Sequence, residues 1–273
     1  MLINNRIKLE VTGHIARVTL ARPEKMNAID PDMFAAVPMV GEELRKDKSI
    51  RVVILDAEGD NFCSGLDKAS IAGLMSPGKD ADSGTLSVSD LSTRTHGIAN
   101  APQYAAWMWR ELPMPVIVAL RGITFGGGLQ IALGGDMRYA SADSQFSILE
   151  MKWGIIPDMS STQVMRHLVA DDVIRELTYT ARIFSAQDAL KWGFITDIVE
   201  DPLAHAYSIA EQIVAKNPVA VRAAKQMLDQ APYQTQAEGL LFESQEQDKI
   251  LGTPNQIEAV MSQMQKRAPN YED

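Results

Sequence analysis

Alternation marks the first twenty residues of the chain. In "RIKLEVTG" and "HIARVTLARP" apolar and polar positions exchange residue by residue on either side of Gly13. That is the period-two pattern of two strands joined by a turn. The period then lengthens. In "DPDMFAAVPMVGEELRKD" the residues Met33, Val37, Val40 and Leu44 share one helical face, with Asp30 placed to cap and Pro31 in the first turn. Pro38, inside the same stretch, predicts a kink. "RVVILDAEG" and, further along, "PVIVALRG" are short unbroken apolar runs, the pattern of strands covered on both faces.

Between these two runs the pattern fades. Residues Lys68 to His96 are rich in Ser, Gly, Asp and Thr with little periodicity, and predict a long mobile loop, of a kind more often functional or disordered than idle. A helix is expected around Ile98 to Leu112. Three consecutive glycines, Gly126, Gly127 and Gly128, then open another helix, and "DMRYAS" and "SQFSIL" read as short strands. From Asp158 onward the pattern predicts almost nothing but helix. "DPLAHAYSIAEQIVAKNP", "NPVAVRAAKQMLDQ" and "TPNQIEAVMSQMQKR" each start with a capping residue before a proline. The expected organisation is an α/β core over residues 1–200 and a helical region over 201–273, with no internal repeat.

Composition narrows the class. The 273 residues are 46% hydrophobic and 22% charged, which suits one sizeable α/β core. The net charge of −9 speaks against nucleic acid or an anionic membrane as partner. Cys63 is the only cysteine, so no intrachain disulfide or cysteine metal cluster can form. The histidines His14, His96, His167 and His205 are too scattered to suggest a metal site. With no signal-like start and no apolar run of membrane length, the expected setting is the cytoplasm.

Two glycine turns carry the candidate chemistry, each just after a buried strand: "NFCSGLD" and "GITFGGGLQ". Such a turn before a helix leaves backbone N–H groups without intrahelical partners, backed by the helix dipole. Phosphate-loop patterns are absent, and no G-x-S-x-G turn makes Ser64 a nucleophile. The turns suit a carbonyl oxygen gaining charge, or else are tight packing turns.

At these residues the chain resembles a known family. "FCSGLD" followed by "GITFGGGLQIALGGDMRYASADSQFSILEMKWGIIPDMSSTQ" is similar to the crotonase superfamily of enoyl-CoA hydratases and isomerases. "VTLARPEKMNAID" resembles that family's first CoA-contacting segment and "MSQMQKRAPNYED" its C-terminal helix and tail, so the likeness spans nearly the whole chain. It implies a crotonase-like spiral of ββα units whose C-terminal helices assemble homotrimers or dimers of trimers. It also implies an acyl-CoA thioester substrate whose carbonyl oxygen sits between the N–H groups of Leu66 and Gly127. No separate cofactor is implied, because coenzyme A is part of the substrate.

The resemblance places the family's two hydratase glutamates at Gln130 and Glu150. Glu150 is present, among Ile148, Leu149 and Met151, which would desolvate it and raise its pKa toward that of a useful base. Gln130 departs from the pattern, because an amide orients a water or a substrate group but does not exchange protons. Asp158 falls where the family's dienoyl-CoA isomerases carry an acid; the other reading makes it the cap of the helix beginning near "MSSTQVMRHL". For CoA the resemblance implies Arg22, Lys25, Lys68 and Lys266 as cations, with Met26, Ala28, Ser64, Gly65, Asp67, Gly126 and Leu149 as further contacts. Cys63 is expected to be a packing residue, and Trp107 and Trp109 core or lid.

The resulting expectation is an enoyl-CoA double-bond isomerase using Glu150 and Asp158. The alternatives are a 2-enoyl-CoA hydratase using Glu150 with Gln130 orienting water, a hydrolase or decarboxylase on the same oxyanion site, and a non-catalytic CoA- or RNA-binding member.

Overall fold

A computed structural model describes residues 1–74 and 90–273 of the chain. Strands β2 (Ile7–Thr12) and β3 (Ile15–Leu20) form the antiparallel pair that the alternation around Gly13 predicts, and β1 (Leu2–Ile3), which it does not, adds to β2 as a third antiparallel strand. Helix α1 (Pro31–Lys46) follows, with the Asp30 carboxylate accepting from the Met33 N–H. The helix continues through Pro38. Met33, Val37, Val40 and Leu44 are fully buried on both sides of the proline and hold the two halves to the core, which offsets the missing hydrogen bond.

Strand β4 (Val52–Ala57) joins β3 in parallel. Helix α2 (Lys68–Leu74) then opens the segment expected to be a loop from Lys68 to His96; residues 75–89 of that expectation lie outside the described residues. Asn100 and Gln103 form a reciprocal capping box that starts α3 (Ala101–Glu111). Next come β5 (Val116–Leu120), β6 (Ile123–Phe125), α4 (Gly127–Leu133), β7 (Met137–Ala140) and β8 (Gln145–Ser147). Here the chain repeats one step: a strand in the large sheet, a short strand in a second sheet, then helical structure.

The stretch after Asp158 departs from the all-helical expectation. Between α5 (Ser161–Met165), α6 (Asp171–Thr180) and α7 (Ala186–Trp192) lies β9 (Phe184–Ser185), and β10 (Asp197–Ile198) follows. Each is only two residues long. They exist because they extend edges built much earlier: β9 pairs with β8 and β10 with β7. The large sheet runs β1-β2-β3-β4-β5-β7-β10 and the small one β6-β8-β9.

Helices α8 (Pro202–Val214), α9 (Pro218–Gln230), α10 (Gln236–Ile250) and α11 (Pro254–Gln265) complete the chain. Asp201, Asn217 and Thr253 cap three of them, as their cap–proline pairs predict. Helix α8 lies beyond the expected boundary at residue 200 but packs on the sheet, where Ala206 and Ala210 meet Val52, Ile54, Ile117 and Tyr139. The opposite face of the sheet meets the main core, with α1 and Trp109 of α3. Coverage on both faces explains why β4 and β5 read as unbroken apolar runs. By contrast, α10 and α11 bury little and leave Leu240, Leu241, Ile257 and Met264 exposed. No helix among the described residues is long and apolar enough to cross a membrane.

Candidate active site

The two glycine turns are stitched together by main chain. Cys63 N–H donates to Ile123 O and Phe125 N–H to Cys63 O, so the first turn lies along β6. Ile29 then pairs with Leu66: Ile29 N–H donates to Gly65 O and Asp67 N–H to Ile29 O. Successive N–H groups of extended chain point to opposite sides, so the Leu66 N–H faces away from Ile29. It has no acceptor among the described residues. In the second turn Gly126 (φ 51°, ψ −124°) adopts a backbone conformation open to glycine and strained for other residues. The Gly127 N–H, at the first position of α4, likewise lacks an acceptor among the described residues. A Cβ on Gly65 would lie 3.7 Å from Gly127 N, so the turns that carry the two free N–H groups abut.

Both groups border a cavity of about 320 Å³. It gathers Lys25, Met26, Ala28, Ser64, Gly65, Leu66, Asp67, Lys68, Gly126, Gly127, Leu149 and Glu150, most of the residues expected from sequence. Leu66 and Ile155 also border a second, larger cavity of about 560 Å³, walled by Phe34, Ile156, Asp158 and Met159. Glu24, Ile71, Trp153 and Ile155 of the first cavity, and Phe34, Asn100 and Gln103 of the second, had no signal in the sequence pattern. Trp153 and Ile155 follow Glu150 through a 3-10 turn (Glu150–Trp153), which brings near neighbours in sequence to one wall.

Glu150 is 6% exposed. Its Oε1 accepts from Gln130 Nε2 at 2.6 Å, while Oε2 is buried with no partner among the described residues. Burial pushes its pKa above the ordinary carboxylate value and the Asp158 charge adds to the rise, while the Gln130 bond acts in the opposite sense. Burial raises the Asp158 pKa as well. The capping alternative for Asp158 does not hold. The residue at the N-cap of α5 is Ser160, in a left-handed conformation, and no side chain caps the helix.

Besides Asp158, three expected residues stand apart from the first cavity. Gln130 is buried and does not line the first cavity; its Oε1 accepts twice and its Nε2 donates to Glu150. The Arg22 guanidinium is held by Ala28 O at 2.9 Å and by Asp67 Oδ2 at 2.8 Å, which takes it out of the wall and neutralises Asp67. Lys266 ends α11 in a left-handed conformation and is not part of the wall. Lys25 and Lys68 are exposed and border the cavity. Cys63 packs against Gly128, and burial pushes its thiol up to about 12. Trp109 is core; Trp107 lies half-buried beside it.

A spiral of strand–strand–helix steps, with two free N–H groups at glycine turns facing a buried carboxylate, defines a protein that can hold a carbonyl oxygen as charge gathers on it. The comparisons with known proteins agree. Residues 10–273 match the family model described as "Enoyl-CoA hydratase/isomerase", and the chain belongs to this family of enzymes. It is 31% identical over 268 residues to (E)-benzylidenesuccinyl-CoA hydratase of Thauera aromatica, covering 97% of this chain and 98% of the other. It is 29% identical to the mitochondrial Delta(3,5)-Delta(2,4)-dienoyl-CoA isomerase of Mus musculus, with coverage of 97% and 81%. Among solved structures, an enoyl-CoA hydratase of Bacillus anthracis superposes with a TM-score of 0.85 at 28% identity, covering 97% and 98%.

Proposed function

We propose that the protein shifts a double bond along an enoyl-CoA thioester. The carbonyl oxygen sits between the N–H groups of Leu66 and Gly127. Glu150 Oε2 removes a proton from C2, and the electron pair moves into the conjugated system as charge builds on the oxygen. Two aimed N–H donors stabilise that charge, each contributing about a hundred- to thousandfold in rate. A proton returned to the far end of the system, C4 of a 3-enoyl chain or C6 of a 3,5-dienoyl chain, completes the shift. The proton balance is zero, and no cofactor is needed beyond the CoA that the substrate carries.

One observation carries this reading: Asp158 borders the larger cavity, partly desolvated and free of any capping role, close enough to raise the Glu150 pKa. An acid placed there serves as the second proton group. Lys25 and Lys68 hold the CoA phosphates at the mouth. The exposed apolar side chains of α10 and α11 support assembly as a homotrimer or a dimer of trimers, and the single cysteine supports work in the cytoplasm.

The second reading is hydration of a 2-enoyl-CoA with Glu150 alone handling the water; the hydratase names of two of the relatives favour it. To test between them, 3-enoyl-, 3,5-dienoyl- and 2-enoyl-CoA are supplied separately in deuterated water and the products resolved by mass. Isomerisation lost in both Glu150→Gln and Asp158→Asn supports the proposal. Fast addition of water to the 2-enoyl substrate, without isomerisation of the others, refutes it.

A further inference from the structure

Gln130 sits on α4, and its side chain ties together two segments that the chain delivers separately. Its Nε2 donates to Glu150 Oε1 at 2.6 Å. Its Oε1 accepts from the Met159 N–H at 2.8 Å and from the Ser161 hydroxyl at 2.8 Å. All of these groups are buried. The orientation of the amide follows from chemistry: a backbone N–H can only donate, so the atom facing Met159 must be the oxygen, and the NH2 must face the glutamate.

We propose that Gln130 is a positioning residue, a bracket that holds one oxygen of Glu150, leaves the other for substrate, and sets the base against the segment that carries Asp158. Met159 directly follows Asp158 in the chain, so the Met159 bond places that carboxyl too. The inference rests on Glu150 being the base. It explains why an amide suits this position. A carboxylate here would keep the bonds from Met159 and Ser161 but set a negative oxygen against Glu150 Oε1. The two acids would then titrate as a coupled pair, and full ionisation of Glu150 would move to higher pH. The amide donor stabilises the ionised glutamate without adding a second charge. Of the charged groups around the site, Asp158 acts on Glu150 directly, while Glu24, Lys25, Asp67 and Lys68 line the outer part of the cavity.

The test compares Gln130→Leu, Gln130→Glu and Glu150→Gln with the native protein, reading kcat/KM against pH and the melting temperature of each. Removing the donor in Q130L moves the acid limb upward by on the order of one pH unit. Q130E keeps both acceptor bonds, and so the fold, and moves the limb further still. A purely structural role would lower kcat at every pH and leave the limb where it was; an unmoved limb in a folded Q130E overturns the proposal. If E150Q is inactive while that limb stays put, the bracket is refuted and the base survives. Native-like turnover in E150Q refutes both.

Discussion

Gly128 is where two stabilising effects oppose each other most clearly. Glycine is worse than alanine by about 0.8–1 kcal/mol in a helix interior and by less in the first turn, where Gly128 lies, so propensity alone still favours Gly128→Ala. The surroundings do not allow it. A Cβ there would lie 2.6 Å from Cys63 Cβ and 2.7 Å from Cys63 O, and the second of these is backbone that cannot rotate away. Ordinary contact needs roughly 0.7 Å more. Overpacking of this kind costs about 1–3 kcal/mol, which outweighs the propensity gain. Melting should drop by a few degrees, at about 2–4 °C for each kcal/mol in a chain of this size.

The larger effect is on rate. The separation that relieves the clash moves the turn carrying Leu66 away from the helix that starts at Gly127, and a hydrogen bond lengthened by about half an ångström is largely lost. With one donor of the pair gone, kcat should drop about a hundredfold. Gly135→Ala is the control. It meets Val118 Cγ2 at 2.3 Å just past the other end of the same helix, so it should lower melting without a comparable drop in kcat. Steady-state kcat and thermal melting on both variants decide the matter. A G128A protein with native kcat, or a G135A protein equally slowed, would refute the link between this packing and the N–H pair.

Other consequences follow from the same geometry. Glu150→Gln should lower kcat by about a hundred- to ten-thousandfold and yet raise the melting temperature. The folded-state pKa of Glu150 lies above its unfolded value, so the ionised form opposes folding. The gain in E150Q should be absent below the unfolded pKa, open as pH rises through the folded one, and stay full above it; a gain largest in acid would contradict the assigned shift. Charge reversal at Lys25 and Lys68 should raise KM for a CoA thioester with kcat little changed, and leave the matching pantetheine thioester unaffected. Equal losses on both substrates would remove the lysines from the phosphates. Cys63, with its thiol pushed up to about 12, should resist iodoacetamide in the native state and react once denaturant unfolds the chain. Rapid native labelling would contradict its burial.

Features written locally were the legible ones. Asp30–Pro31, Asp201–Pro202, Asn217–Pro218 and Thr253–Pro254 start helices because a cap needs only its own first turn. The glycine turns were equally plain, since their geometry is local. What escaped notice depends on partners distant in the chain. Strands β9 and β10 take their conformation from β8 and β7. Gln130 looked like a polar group facing a ligand because its acceptor contacts lie 29 and 31 residues downstream. Arg22 looked like a phosphate ligand because Asp67, which holds it, lies 45 residues away. Lys266 belongs to a helix whose apolar face is open in the single chain, so its surroundings are not a local property.

Trp153 gives the site an optical signature. Of the four tryptophans, Trp109 is wholly enclosed and Trp107 and Trp192 lean on the core, whereas Trp153 is 47% exposed beside Glu150. Its resting emission should therefore be that of a water-bathed indole. An acyl-CoA seated in the cavity excludes that water and draws the emission to shorter wavelength. Occupancy thus becomes a fluorescence signal independent of turnover, readable with a saturated thioester that has no double bond to move, or in a variant whose base has been removed.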